Sequence, residues 1–428
     1  MRSKLCLIFV NYPEKHNNQL SERTRIDGKA LKFVEAGRHG FTRLTNNYCT
    51  TTDMKIAIVG GSISGLACAL TLTCTGHEVS IYERSPTPLR GHGGGVVVLR
   101  QMLQFLDQHG QHTRAMLTVP THRRRWIDAD GKVTHDEPEL LPFSSWDAVY
   151  RSLCSMLPPR AIHYGRTVAS VSEDAQGVEI RFDDGVAPAY ADVLIAADGT
   201  GSRLRSALFP DSAPSYAGYI AWRGLVEESA FDPADIADLA ENMTLFRKDG
   251  ELFMTFLIPA LDGSLAPGTR RFNWLWYRNE TEPTVIDSFL TDRDGRRHHA
   301  SVVPGQLSAQ SLAHLYGAAG DSLPRTLVQL VAATEAPFLQ AVSDALSPSF
   351  AQGRIALVGD AACTLRPHTG SGTSKAADDA VSLAQTLVIA ETNVVHALAD
   401  WAAARRAAVE RLLIKGPQLA QSFGLGMS

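Results

Sequence analysis

The sequence predicts an α/β fold in which one domain is built on a parallel sheet and a second on an antiparallel sheet. Three observations carry this. Residues 55–84 (KIAIVGGSISGLACALTLTCTGHEVSIYER) read as strand, glycine turn, helix and strand. A second strand, turn and glycine-opened helix recurs far downstream at residues 353–387. Between them, residues 216–278 alternate apolar and polar positions with many aromatics, the period of strands rather than helices.

Residues 56–59 are an apolar run suited to a buried parallel strand, and residues 66–75 have helical composition. Gly60, Gly61 and Gly65 form the turn between them, with Ser62, Ile63 and Ser64 inside it. A turn without bulky Cβ atoms lets a pyrophosphate approach the backbone, and the following helix offers free N–H groups and the positive end of its dipole. Glu83, followed by Arg84, ends the second strand about twenty residues past the turn, where a carboxylate accepts hydrogen bonds from adenosine ribose hydroxyls. A 2′-phosphate would be repelled there. The G-x-G-x-x-G pattern is broken by Ser62, the smallest substitute that still donates a hydrogen bond. The competing reading is a parallel-sheet core turn that binds nothing.

Upstream, residues 1–53 mix basic and polar positions with one short apolar run at 5–10 and read as an extension outside the fold. After Arg84, Pro86, Pro88 and Gly93, Gly94 and Gly95 make a loop that bends back toward the nucleotide, followed by a helix at 101–109. Asp130-Gly131 marks a hairpin within 123–137. Residues 145–157 read as a helix carrying Arg151, and 163–185 as a hairpin pair. Residues 193–197 form another buried strand with Asp198-Gly199 at its carboxyl end, where open α/β sheets collect ligands. Residues 279–340 read as loops and helices. In the last segment a strand at 355–358 ends at Gly359-Asp360. A loop then passes through Pro367 and His368, and Gly370-Ser371-Gly372 opens a helix that contains Asp379.

The chain has 428 residues, 44% hydrophobic and 20% charged, with a net charge of -4, which is ordinary globular material and disfavours nucleic-acid or anionic-membrane partners. No apolar run approaches the ~18 residues of a membrane helix. Six scattered cysteines without a C-x-x-C pair suggest no zinc site and a reduced, cytoplasmic setting. No metal is expected, and a homodimer is left open.

GGSISGL, ADGTGSRLR and VGDAACTLRPHTGSG, in this order and spacing, resemble the FAD-dependent aromatic hydroxylases of the para-hydroxybenzoate hydroxylase type. The resemblance implies a Rossmann-like FAD-binding domain (54–212 and 341–428) enclosing an antiparallel-sheet substrate domain (213–340). It assigns the FAD pyrophosphate to Gly60, Ser62 and Gly65, the adenosine ribose to Glu83, and the pyrophosphate region to Asp198 and Arg151. It further assigns the ribityl chain to Asp360 and the flavin pyrimidine ring to the N–H groups of the helix opened by Gly370, Ser371, Gly372 and Thr373. YAGYIAWRG, FNWLWY and LRPHTGSGTSKAADDA are similar to the hydroxypyridine-hydroxylating branch that includes the 2,6-dihydroxypyridine 3-monooxygenases.

That branch implies reduction of FAD by NADH (or NADPH), reaction with O₂ to a flavin C4a-hydroperoxide, and oxygen transfer to an electron-rich ring carbon. Tyr219, Trp222, Arg223 and Pro367 are then expected at the substrate. His368 is expected either to poise a substrate hydroxyl or to be a loop histidine bonded to backbone. A hydroxybenzoate or salicylate hydroxylase, a flavin oxidase or dehydrogenase, and a non-enzymatic flavoprotein are the alternatives. Cys363 stands where many members of the family carry histidine.

Overall fold

The computed structural model describes residues 54–109, 114–240, 242–390 and 393–426, with four two-residue strands upstream at Arg25–Ile26, Lys29–Ala30, Phe33–Val34 and Arg43–Leu44. The expectation for the rest of residues 1–53 lies outside the described residues.

The parallel sheet runs Ile162–Tyr164, Glu78–Glu83, Lys55–Val59, Val193–Ala196, Ile355–Leu357, with Ala351–Gln352 as an antiparallel edge. Residues Lys55–Val59 show the burial pattern of a strand covered on both faces, as their apolar run predicts. Ile162–Tyr164, whose last two residues are expected in a hairpin, instead extends this sheet beside Glu78–Glu83, and the hairpin forms from Val168–Glu173 and Val178–Phe182. The register aligns the carboxyl ends of four strands: Gly60 N–H donates to Tyr82 O, Ala197 N–H to Val59 O, and Val358 N–H to Ala196 O. All three predicted turns therefore meet on one edge of the sheet. The helices Ile63–Cys74 and Gly372–Ile389 pack against each other, with Thr71 Oγ1 donating to Ala380 O at 3.3 Å.

The second sheet follows the order Val133–Pro138, Arg123–Ile127, Asn242–Lys248, Glu251–Ile258, Arg271–Asn279, Ser215–Glu227, Phe338–Leu346, Ser301–Val302, and Cys363–Thr364 pairs with Phe338–Leu346. It recruits the Asp130-Gly131 hairpin and a strand reaching residue 346, so its members come from both sides of the 213–340 segment.

Strand alternation sorts its aromatics onto two faces. Trp222, Phe253, Trp274 and Trp276 pack under the helices Pro283–Phe289, Ala309–Ser322 and Arg325–Ala332. Tyr219, Leu252, Met254, Phe256 and Tyr277 occupy the other face with Phe143, toward the parallel-sheet domain. Each fully buried aromatic contributes roughly 1.5–3 kcal/mol of burial, and the helical layer exists to cover this half of them.

Candidate cofactor and substrate site

Sterics demand glycine at two places in the first turn. Gly60 has φ of 105°, and a Cβ there would lie 2.3 Å from Ala197 O; one on Gly65 would lie 2.0 Å from Gly60 O. The turn is thereby pressed against both its neighbouring strand and its own helix. Glu83 is buried and accepts the N–H of Gly61 at 2.7 Å and of Ser85 at 2.8 Å, which leaves lone pairs on both oxygens for further donors. Ser62 occupies the N-cap position with no side-chain capping bond, so its hydroxyl is not consumed by the helix. Ile63 is buried, Ser64 packs against Gly359, and Arg84 is exposed at the strand tip.

At the adjoining strand ends, Asp198 accepts the N–H of Leu204 through Oδ2 while Oδ1 is buried without a partner. Arg205, 1% exposed, donates to the carbonyls of Thr200, Asp360 and Ala361 and so ties the two turns together. Asp360 opens onto the cleft but is closely surrounded by protein. Burial pushes its carboxyl up, aided by Asp379 and opposed by Lys375 and Arg205.

Behind it lies a buried ionic cluster that reading the sequence missed. Lys375 Nζ donates to Gly359 O at 2.7 Å and to Asp379 Oδ2 at 2.8 Å, and Asp379 also takes the N–H of Gly359 and a bidentate contact from Arg405. Burial alone would raise the Asp379 carboxyl; Lys375, Arg405 and these hydrogen bonds outweigh it and hold it below the ordinary range. The Lys375/Asp379 spacing of four in a predicted helix was the available signal.

Arg151 departs from its expected place at the pyrophosphate. Its donors go to Asp147 and to the carbonyls of Leu261 and Asp262. It clamps the two domains together instead, because Asp147, one turn away on its own helix, orients it toward the 259–264 loop.

The glycine-opened helix begins beside the 91–97 loop. Thr373 Oγ1 donates to Val97 O at 3.2 Å, Gly370 has φ of 63°, and a Cβ on it would lie 2.5 Å from Val97. Ser371 turns its hydroxyl back to Thr369 O and leaves the helix end uncapped. A Cβ on Gly372 would meet no protein atom within 4 Å. An uncapped helix end facing open space, the unpartnered Asp198 Oδ1 and the free Ser62 hydroxyl suit a long ligand carrying a pyrophosphate, hydroxyls and a flat electron-rich ring.

Over this end stands the second sheet. Half-buried Pro367 starts the turn that carries His368. His368 Nε2 lies 3.0 Å from Gly416 O, and since a carbonyl only accepts, Nε2 carries the hydrogen and Nδ1 accepts from the Tyr219 hydroxyl 3.4 Å away. Burial holds His368 below its usual value and raises Tyr219, so both stay neutral. Arg366, paired bidentately with Asp344, lies over the Tyr219 ring.

Arg223 shares the face of Tyr219, but Trp222 does not. Adjacent strand residues point to opposite sides, and Trp222 is sealed against Phe289 and His314 under the helical layer. The expectation that it borders the substrate beside Arg223 is corrected accordingly. Tyr277 and Asn273, both fully buried, occupy the Arg223 face instead.

Two family models match the chain: an FAD binding domain-like model over residues 216–344 and an FAD binding domain over residues 339–416. The 2,6-dihydroxypyridine 3-monooxygenase of Paenarthrobacter nicotinovorans is 36% identical over 341 residues, covering 78% of this chain and 83% of that protein. The chain belongs to the FAD-binding monooxygenases. The solved 2,6-dihydroxypyridine-3-hydroxylase from Arthrobacter nicotinovorans superposes on this monooxygenase with a TM-score of 0.82 at 32% identity, covering 89% and 95% of the two chains. HpxO of Klebsiella pneumoniae, solved with FAD and uric acid, shares the fold at a TM-score of 0.70 and 23% identity, covering 89% and 91%. The enzyme is thus a flavoprotein monooxygenase with FAD as cofactor and NAD(P)H as co-substrate. No helix among the described residues is long and apolar enough to cross a membrane.

Proposed function

We propose that this monooxygenase hydroxylates a hydroxypyridine-type ring with NADH and O₂. The observation that carries the reading is the 36% identity, over most of both chains, to a relative named for that ring. Bound FAD, once reduced, supplies the activated oxygen. The residues of this chain bind and orient. The N–H groups around Gly60, Gly61, Ser62, Ile63, Ser64 and Gly65 hold the pyrophosphate, with Asp198 beside it. Glu83, with Arg84 at the rim, takes the ribose, and Asp360 takes the ribityl hydroxyls. Gly370, Ser371, Gly372 and Thr373 present the helix end that stabilises negative charge on the reduced ring.

Tyr219 donates its hydrogen bond to His368 Nδ1, so its oxygen can take the proton of a substrate hydroxyl as its own hydrogen passes to His368 Nδ1, which raises the ring's electron density. Arg223 offers the charge that keeps the resulting oxyanion ionised. Met254, Phe256 and Leu275 make the surrounding wall apolar and exclude water. We place the enzyme in the cytoplasm; Cys68, Cys154 and Cys363 form no disulfide, and light scattering tests for a homodimer.

The test is NADH consumption, with peroxide measured, over dihydroxypyridines, hydroxypyridines, salicylate and 4-hydroxybenzoate. A dihydroxypyridine should stimulate oxidation most and yield product containing one atom from ¹⁸O₂. Coupled hydroxylation of the benzoates, with pyridines giving only peroxide, overturns the pyridine reading in favour of a hydroxybenzoate hydroxylase.

A further inference from the structure

The helix Val394–Ser422 ends in a turn that carries the chain back into the core. Gly424 N–H donates to Gln421 O at 3.0 Å, Leu425 N–H donates to Ala420 O at 2.9 Å, and Gly424 has φ of 77°. These are the paired bonds and the left-handed glycine of a Schellman cap, which sets the residue after the glycine against the third residue from the helix end. Here those two are Leu425 and Ala420, both buried on the Tyr219 face of the antiparallel sheet. Phe423 packs against the same cluster and meets the His368 ring edge-on, with centroids 6.3 Å apart.

The turn is clipped in place from the sheet. Asn279, exposed at the end of its strand, donates from Nδ2 to Gly424 O and accepts the Gly426 N–H at Oδ1, both at 2.9 Å. Arg247 donates to Ser422 O at 3.0 Å. At the other end of the segment His368 Nε2 donates to Gly416 O, next to Pro417, which has no N–H for the preceding helical turn. A Cβ on Gly426 would lie 3.1 Å from Ala217 O and 3.9 Å from Tyr219 Cε1. Residues 416–426 thus touch both members of the Tyr219–His368 pair, and a ring whose oxygen reaches the Tyr219 hydroxyl has this segment beside it. Ala420, Phe423 and Leu425 offer that ring no polar side-chain atom, and close-packed apolar surface resists the insertion of further methylenes.

We propose that Ala420, Phe423 and Leu425 form the end wall of the substrate pocket and set specificity by size. The ring edge that faces them carries hydrogen or a small group, and rings with an alkyl or acyl side chain at that edge are rejected. The proposal rests on the function proposed above for the place of the ring at Tyr219, not for its identity.

The test is calorimetric affinity of the FAD-loaded enzyme for 2,6-dihydroxypyridine and for its 3-propyl and 4-propyl derivatives. In the wild type at least one derivative should bind about 10-fold or more weakly than the parent. Leu425→Ala and Phe423→Ala should leave the parent within about threefold and shrink that gap about fivefold or more, since each methylene that finds apolar space gains about fourfold. A merely structural role would lower the thermal midpoint and weaken parent and derivative together. Asn279→Ala unclips the turn without removing a wall atom; it should shrink the gap in the same direction, and it decides the question if the wall variants lose FAD. Both derivatives within about twofold of the parent in the wild type, or a gap unchanged in every FAD-retaining variant, overturns the wall. Salicylate with its 4-propyl and 5-propyl derivatives separates the wall from the ring. If only salicylate binds, the ring assignment falls and the same ratio on its derivatives judges the wall. Dihydroxypyridine binding with an unmoved gap keeps the ring and overturns the wall. Binding of neither parent overturns both.

Discussion

Asp379→Asn strands two buried cations, and the structure sets the size of the effect. The carboxylate is fully buried and is the shared anion of Lys375 and Arg405, whose side chains are 1% and 14% exposed. Removing one partner of a buried pair costs about 3–5 kcal/mol; because Arg405 has some access to water, the lower part of that range is expected. Lys375→Met is the informative contrast. It leaves Asp379 with Arg405 and the N–H of Gly359, losing chiefly the bond to Gly359 O, for about 1–3 kcal/mol. Urea unfolding of both variants gives the two costs, and the double variant should lose less than their sum, since removing the cation relieves part of what removing the anion creates. FAD content should fall in Asp379→Asn as well, because Gly359 is held by Asp379 at its N–H and by Lys375 at its carbonyl, directly before Asp360. A loss below about 1 kcal/mol in Asp379→Asn, or one no larger than in Lys375→Met, refutes the reasoning.

Three further outcomes are expected. Asp360→Ala should purify with little FAD, since each lost hydrogen bond to a charged acceptor is worth about 1.5–3 kcal/mol; normal flavin content would remove Asp360 from the site. Gly65→Ala should abolish FAD retention by forcing the turn off Gly60 O, whereas Gly201→Ala, whose Cβ meets nothing within 4 Å, should bind FAD normally; equal behaviour of the two contradicts the steric argument. His368 is held below its usual value, so the unfolded chain takes up its proton first as pH falls. Its contribution to stability is complete above about pH 6.5 and is lost as pH drops through the lower folded value. His368→Gln, which retains a donor for Gly416 O, should therefore flatten the fall in thermal midpoint between pH 7 and 5. Asp360 and Asp378, both raised, contribute with the opposite sign from about pH 4 upward and are common to both proteins, so an unchanged slope would exclude His368 as the titrating group.

The local sequence determined the strand–turn–helix units by itself. Apolar runs, glycines and the acid at Glu83 specify them within thirty residues, and each forms where the pattern lies because backbone sterics at Gly60 and Gly65 admit nothing else. The hairpin at Asp130-Gly131 and the glycine-opened helix were legible for the same reason. Only the tertiary structure decided which side chains face each other. Alternation says that Trp222 and Arg223 point apart, but not which of them meets the cofactor domain; packing of the 283–332 helices on one face settled that. Arg151 pairs with Asp147 and the 259–264 loop, a partner more than a hundred residues away that no local pattern encodes. The Lys375–Asp379–Arg405 cluster likewise joins residues from separate elements. Its charges acquire meaning only when burial removes water and leaves each donor to whatever the fold has placed within reach.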